Sequence, residues 1–104
     1  MIHMQEKHKK MVMDILQKYP YTFYAFGSRV TGKNRVLSDL DICFIEDIPL
    51  SVQSNIKEDF ELSNIPFLVD LVDFNTCDSD FQKRIMKDLE LLQGEDLIAN
   101  FIIS

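Results

Sequence analysis

Apolar and polar positions along this chain change period several times, and each change marks an element. From about Gln5 to Tyr19, the residues Met11, Val12, Ile15, Leu16 and Tyr19 share one face of a 3.6-residue period, which predicts a helix that Pro20 ends. His8 falls on the side of Met11 and Ile15, where an edge-of-core histidine is expected rather than a catalytic one. Thr22-Phe23-Tyr24-Ala25-Phe26 is short, aromatic and bounded by Pro20 and Gly27, so it predicts a strand. Gly27 permits a tight strand-to-helix turn, a short helix can begin at Ser28, and Gly32, Lys33 and Asn34 form a loop.

Asp39 to Ile45 predicts a second strand, with Asp39, Asp41 and Cys43 on one face and Leu40, Ile42 and Phe44 on the other. Val52, Ile56 and Phe60 suit a helix over Leu50 to Leu62 that begins near Pro49 or Ser51. Phe67 to Phe74 predicts a third strand. Ser79 and Gln82 have the spacing of a capping box, and Phe81, Ile85, Leu89 and Leu92 then line a helix that Gly94 ends. This order predicts a small single-domain α/β (α+β) fold, with a mixed β-sheet of about three strands flanked by helices. Residues 1–94 form the domain; residues 95–104 form a tail. The tail holds Leu97, Ile98, Phe101, Ile102 and Ile103, which predicts that it packs on the domain or docks on another chain, a second copy included.

Composition narrows the function classes. The 104 residues, 46% hydrophobic and 27% charged, make one compact globular domain. A net charge of -6, from 17 acidic and 11 basic residues, argues against long DNA or RNA as a partner and agrees with binding of a divalent cation. Cys43 and Cys77 lack metal-ligand spacing, and Cys43 lies in an apolar run where a small buried residue is expected. Met1 to Lys10 has no apolar signal-peptide region, and no apolar run approaches the ~18 residues that span a membrane, so a cytoplasmic location is expected.

The chemistry centres on Asp39 and Asp41. Two carboxylates on one strand face, ~7 Å apart, can converge on one or two Mg²⁺ ions, as nucleotidyl transfer requires. An acid-x-acid pair is commonly just a solvated strand end. Here the strand is otherwise strongly apolar, and charge is costly there unless it meets a cation or water. Gly27-Ser28 lies where a strand runs into a helix, so backbone N–H groups and the Ser28 hydroxyl can point at a phosphate. Ten residues separate Ser28 from Asp39, enough for a short helix and loop to bring the turn beside the carboxylates.

Gly27-Ser28-Arg29-Val30-Thr31-Gly32, followed by Ser38-Asp39-Leu40-Asp41, resembles the signature of the DNA polymerase β-like nucleotidyltransferase superfamily. More narrowly, the chain resembles the minimal nucleotidyltransferase family from about Met11 to Leu92. The resemblance implies a third carboxylate between apolar residues on a later strand, matched by Val69-Asp70-Leu71. Asp70 would then join Asp39 and Asp41 in binding metal or act as base toward the incoming hydroxyl. Asp73 faces the other side of a regular strand and is better read as a strand-end or capping acid, although a bulge would make it the alternative third carboxylate. Arg29 matches a basic position common in the family and is the expected phosphate-binding side chain beside Gly27 and Ser28; Lys33 and Arg35 have no stronger claim to phosphate than to solvent. Lys83 and Arg84, at the start of the last helix, are expected at the surface.

The resemblance further implies transfer of a nucleoside monophosphate, commonly AMP from ATP with Mg²⁺, to a hydroxyl. It also implies a helical HEPN-type protein as partner, with this chain as the antitoxin of a toxin–antitoxin pair that in some cases adenylylates a tyrosine. A non-catalytic binding module that neutralises a partner by covering it is the competing reading. An enzyme acting on a small molecule is a third, weakened because so short a chain leaves little room for a separate acceptor pocket.

Overall fold

The computed structural model describes residues 2–97. Four helices and four strands alternate as α1 (Glu6–Leu16), β1 (Phe23–Phe26), α2 (Ser28–Thr31), β2 (Leu40–Phe44), α3 (Leu50–Glu61), β3 (Val69–Asp73), α4 (Ser79–Met86) and β4 (Glu90–Gln93), with a 3-10 turn at Phe74–Thr76. The sheet order is β3-β2-β1-β4. β1 runs antiparallel to β2 and β4, whereas β2 and β3 are parallel, joined by α3 as a crossover.

The alternation along β2 sorts its side chains between two cores. Leu40, Ile42 and Phe44 pack with Phe23 and Ala25 against Val12, Ile15 and Leu16 of α1 and Ile56 and Phe60 of α3. On the opposite face, Cys43 packs with Tyr24, Phe26, Phe74 and Ile85, and Phe81 of α4 meets Phe26 edge-on. The sheet is thus sandwiched between α1 with α3 on one side and α4 on the other. His8 is half-buried with its ring edge-on to Phe67, at the margin of the core as its position in the helical period predicts. Cys43 is fully buried.

Among the described residues, three expectations at the C-terminal end need correction. The sheet has four strands rather than about three. The 3.6-residue spacing of Phe81, Ile85, Leu89 and Leu92 suggested one helix as far as Gly94, but α4 stops at Met86 and residues 90–93 turn back as β4 along the open edge of β1. Pairing that edge satisfies main-chain groups of β1 that a longer helix would leave unmatched. The Gln93 side-chain amide anchors the new strand by donating to the carbonyls of Leu16, Tyr19 and Tyr21 at 3.0, 2.8 and 3.1 Å. The predicted capping box is also absent: Asp78 is the cap, its carboxylate accepting from the Phe81 N–H at 2.8 Å, while Gln82 donates to the Phe74 carbonyl.

Of the tail, only residues 95–97 are described. The Leu97 N–H donates to the Tyr24 hydroxyl at 2.7 Å, and that hydroxyl lies 3.0 Å from Oδ1 of Asp96. The expectation for Ile98, Phe101, Ile102 and Ile103 lies outside the described residues. No helix among the described residues is long and apolar enough to cross a membrane.

Candidate active site

Strand register brings the acids together. In the parallel β2–β3 pair, Asp41 stands opposite Asp70; in the antiparallel β1–β2 pair, Asp41 stands opposite Phe26. Residues opposite one another project from the same sheet face, so Asp41 and Asp70 share the face of Cys43. Asp39 precedes β2 by one residue and is exposed, as is Asp70, while Asp41 is half-buried. Asp73 falls opposite Phe44, and its carboxylate accepts from the Asn75 N–H at 3.0 Å, capping the 3-10 turn.

The Gly27 turn is shaped around Asp41. Gly27 has φ +83°, and a Cβ at that position would lie 2.4 Å from Asp41 Oδ2. Glycine is needed for both reasons: L side chains seldom adopt this backbone conformation, and the carboxylate fills the space a side chain would take. Ser28 begins α2, and Gly32 ends it in the left-handed conformation at φ +82°. The turn and Asp41 are therefore immediate neighbours.

Electrostatics sets Asp41 apart. Its pKa is pushed up to about 6, first by burial and then by the like charges of Asp70 and Asp39. Asp41 thus feels both other carboxylates through space. The three are not, however, gathered into a finished cage: among the described residues no three His, Cys, Asp or Glu side chains stand close enough to hold a metal ion as they are placed. The donor set is right for Mg²⁺, a hard cation that takes carboxylate oxygens and keeps waters. Asp39, Asp41 and Asp70 are the residues that would hold it.

The Arg29 side chain, beside the Gly27-Ser28 turn in sequence, points into the fold. It is only 3% exposed, and its guanidinium donates to the carbonyls of Ser38, His3 and Val36, each at 2.9 Å, while lying 4.1 Å from the centre of the Phe67 ring. These donors are spent on the chain's own backbone. Burial pulls the Arg29 pKa down, and the field of Asp39 opposes that shift.

Two features of the site were not anticipated from the sequence. Phe67 forms the platform beneath Arg29, a long-range contact without a local signal. Val36 and Leu37, in the loop that leads to Asp39, are 81% and 65% exposed, and Leu68, just before β3, is 72% exposed. An apolar doublet inside a charged loop was the available clue. The groove that touches Asp70, about 360 Å³, is lined by Lys57, Phe60, Glu61, Ile65 and Leu71 and includes neither Asp39 nor Asp41.

Comparison with known proteins finds similarity in both sequence and fold. The family described as Polymerase beta, Nucleotidyltransferase matches residues 10–97. A curated relative from Haemophilus influenzae, named "Probable protein adenylyltransferase MntA", is 40% identical over 90 residues, covering 83% of this chain and 79% of that protein. A toxin–antitoxin crystal structure with AMP-PNP superposes with a TM-score of 0.68 at 18% identity, covering 89% of this chain and 78% of that one. The MntA–HepT toxin–antitoxin structure gives a TM-score of 0.59 at 18% identity, covering 88% and 74% respectively. At these identities the two structures establish a shared fold.

Proposed function

We propose, on the premise that this chain belongs to the polymerase beta nucleotidyltransferase family and is a nucleotidyltransferase, that it transfers AMP from ATP to a hydroxyl of a partner protein. The partner, in this reading, is a HEPN-type toxin, and the chain is the cytoplasmic antitoxin that neutralises it. The observation that carries the chemistry is Asp41, opposed by Asp70 on β3 and pressed against the Gly27 turn. The protein acceptor is supported by the name of the 40%-identical relative and by the toxin–antitoxin structures that share the fold. It also agrees with exposed Val36, Leu37 and Leu68 on the loops leading to Asp39 and Asp70, an apolar rim suited to a protein surface.

In the proposed reaction, Gly27 and Ser28 bind the triphosphate through main-chain N–H groups and the Ser28 hydroxyl. Asp39, Asp41 and Asp70 would hold the divalent ions. When bound, Mg²⁺ neutralises the triphosphate and makes the attacking hydroxyl more acidic. The partner's hydroxyl oxygen bonds to the α-phosphorus as the bond from that phosphorus to the bridging oxygen breaks, and pyrophosphate leaves. Exposed Asp70 receives the hydroxyl proton.

A second reading, neutralisation by binding alone, draws on the same exposed Val36, Leu37 and Leu68, which could cover a partner without any transfer. Intact-mass spectrometry of the partner after incubation with this chain, Mg²⁺ and each nucleotide separates the two. Addition of one or more AMP groups, lost with Asp41→Asn, supports transfer. A stable complex with no mass gain supports binding alone.

A further inference from the structure

The three pieces of the candidate site converge on a side chain outside the acid cluster. The Arg29 carbonyl accepts from the His3 N–H at 2.7 Å, and its guanidinium donates back to the His3 carbonyl at 2.9 Å, so the N-terminal segment is bonded to Arg29 from both sides. Nε donates to Ser38, the residue before Asp39, and a terminal nitrogen to Val36. The opposite face of the contact is Phe67, three residues before Asp70. The starts of β2 and β3 are joined there by the Leu40 N–H, which donates to the Leu68 carbonyl at 2.9 Å. Arg29 itself directly follows Ser28. One buried cation therefore links the phosphate turn, the approach to Asp39 and the approach to Asp70.

Burying a charge is costly, and the three hydrogen bonds to main-chain carbonyls offset that cost. An apolar residue of similar volume fills the space but leaves those carbonyls without this donor. What an apolar residue cannot supply is direction. The planar guanidinium has donors in a fixed fork, here aimed at three separate carbonyls; the single ammonium of lysine cannot reproduce that pattern. Metal affinity depends steeply on such placement, because carboxylates must meet an ion within a few tenths of an ångström.

We propose that Arg29 is a positioning residue: its guanidinium sets Asp39 and Asp70 about Asp41 so that the three carboxylates can close on a divalent cation. The inference rests on the metal-binding reading of those acids. It predicts that removing the fork weakens metal binding by a chain that remains folded.

The test is Mn²⁺ binding to the full chain, read from the free-ion signal by electron paramagnetic resonance, with folding followed separately by circular dichroism. Arg29→Met, an apolar replacement of similar length, is expected to fold and to bind Mn²⁺ about 10-fold or more weakly, the scale seen when a group that orients metal ligands is lost. Arg29→Lys is expected to fall with Arg29→Met rather than with wild type. A merely structural role would lower the melting temperature and leave Mn²⁺ affinity of the folded chain unchanged. Should Arg29→Met fail to fold, Phe67→Leu decides, since it keeps the hydrogen bonds and removes the stacking face; about threefold weaker binding is expected. Wild-type binding with affinities unchanged in the folded variants overturns this inference alone. No Mn²⁺ binding by wild type overturns the metal-site reading and this inference with it.

Discussion

An alanine methyl at Gly27 would stand 2.4 Å from Oδ2 of Asp41, so the end of β1 and the half-buried carboxylate of β2 are shaped to each other. Gly27→Ala is accordingly expected to damage both fold and chemistry. The positive φ alone costs about 1–3 kcal/mol for a side chain, and Asp41 must also move. Thermal melting should fall, and AMP transfer should drop by about 100-fold or more, as expected when catalytic groups are displaced by an ångström. Retained transfer would disprove the role of this turn.

Asp41 is a site where function is expected to oppose stability. A carboxyl whose pKa rises on folding, here from 3.8 to about 6, keeps its proton longer in the folded state. Its contribution therefore favours folding below pH 4 and is lost as pH rises through about 6. In metal-free buffer, Asp41→Asn should melt higher than wild type at pH 8, and the gain should shrink on acidification through pH 6. Melting curves in EDTA at several pH values check this. A gain independent of pH would be wrong for this mechanism.

At alkaline pH the link between α3 and the turn that follows α1 should weaken. The Tyr19 hydroxyl donates to Asp59 Oδ2 at 2.5 Å, and this bond, followed by burial, pushes the Tyr19 pKa up to about 12. The pair stabilises the fold below the ordinary tyrosine pKa of 10.0, and the benefit disappears as pH rises toward 12. Tyr19→Phe should melt lower than wild type at pH 8, with the two curves converging above pH 11.

Replacing both Asp39 and Asp41 by Asn separates chemistry from recognition. The double variant should fold, lose AMP transfer entirely and still form a complex with the partner, measured by intact mass and by size-exclusion chromatography. Unchanged transfer would exclude these acids from the reaction.

The exposed apolar rim makes a different prediction. Val36→Ser with Leu37→Ser should raise KM for the protein acceptor about 10-fold, the scale of losing more than 1 kcal/mol at an interface, while leaving the melting temperature nearly unchanged. Both side chains are mostly in solvent, at 81% and 65% exposure, so folding gains little from them. An unchanged KM would place the acceptor elsewhere.

Much of this protein was decided locally and could be read from order alone. The helical period of α1 and α3, the Gly27-Ser28 turn and the alternation of Asp39 and Asp41 with Leu40 and Ile42 are properties of neighbouring residues. The resemblance of that motif to a nucleotidyltransferase family needed no contact map. Tertiary structure decided what depends on distant partners. β4 exists because the edge of β1 was open, which overrode the helical spacing of Leu89 and Leu92. Asp70 meets Asp41 through the β2–β3 register, a relationship across 29 positions that local pattern cannot encode. Sequence order places Arg29 directly after Ser28; its backbone carbonyl partners and Phe67 turn its side chain inward. Short-range sterics and periodicity belong to the sequence, whereas the direction of a long cationic side chain is settled only by which carbonyls the completed fold brings within its reach.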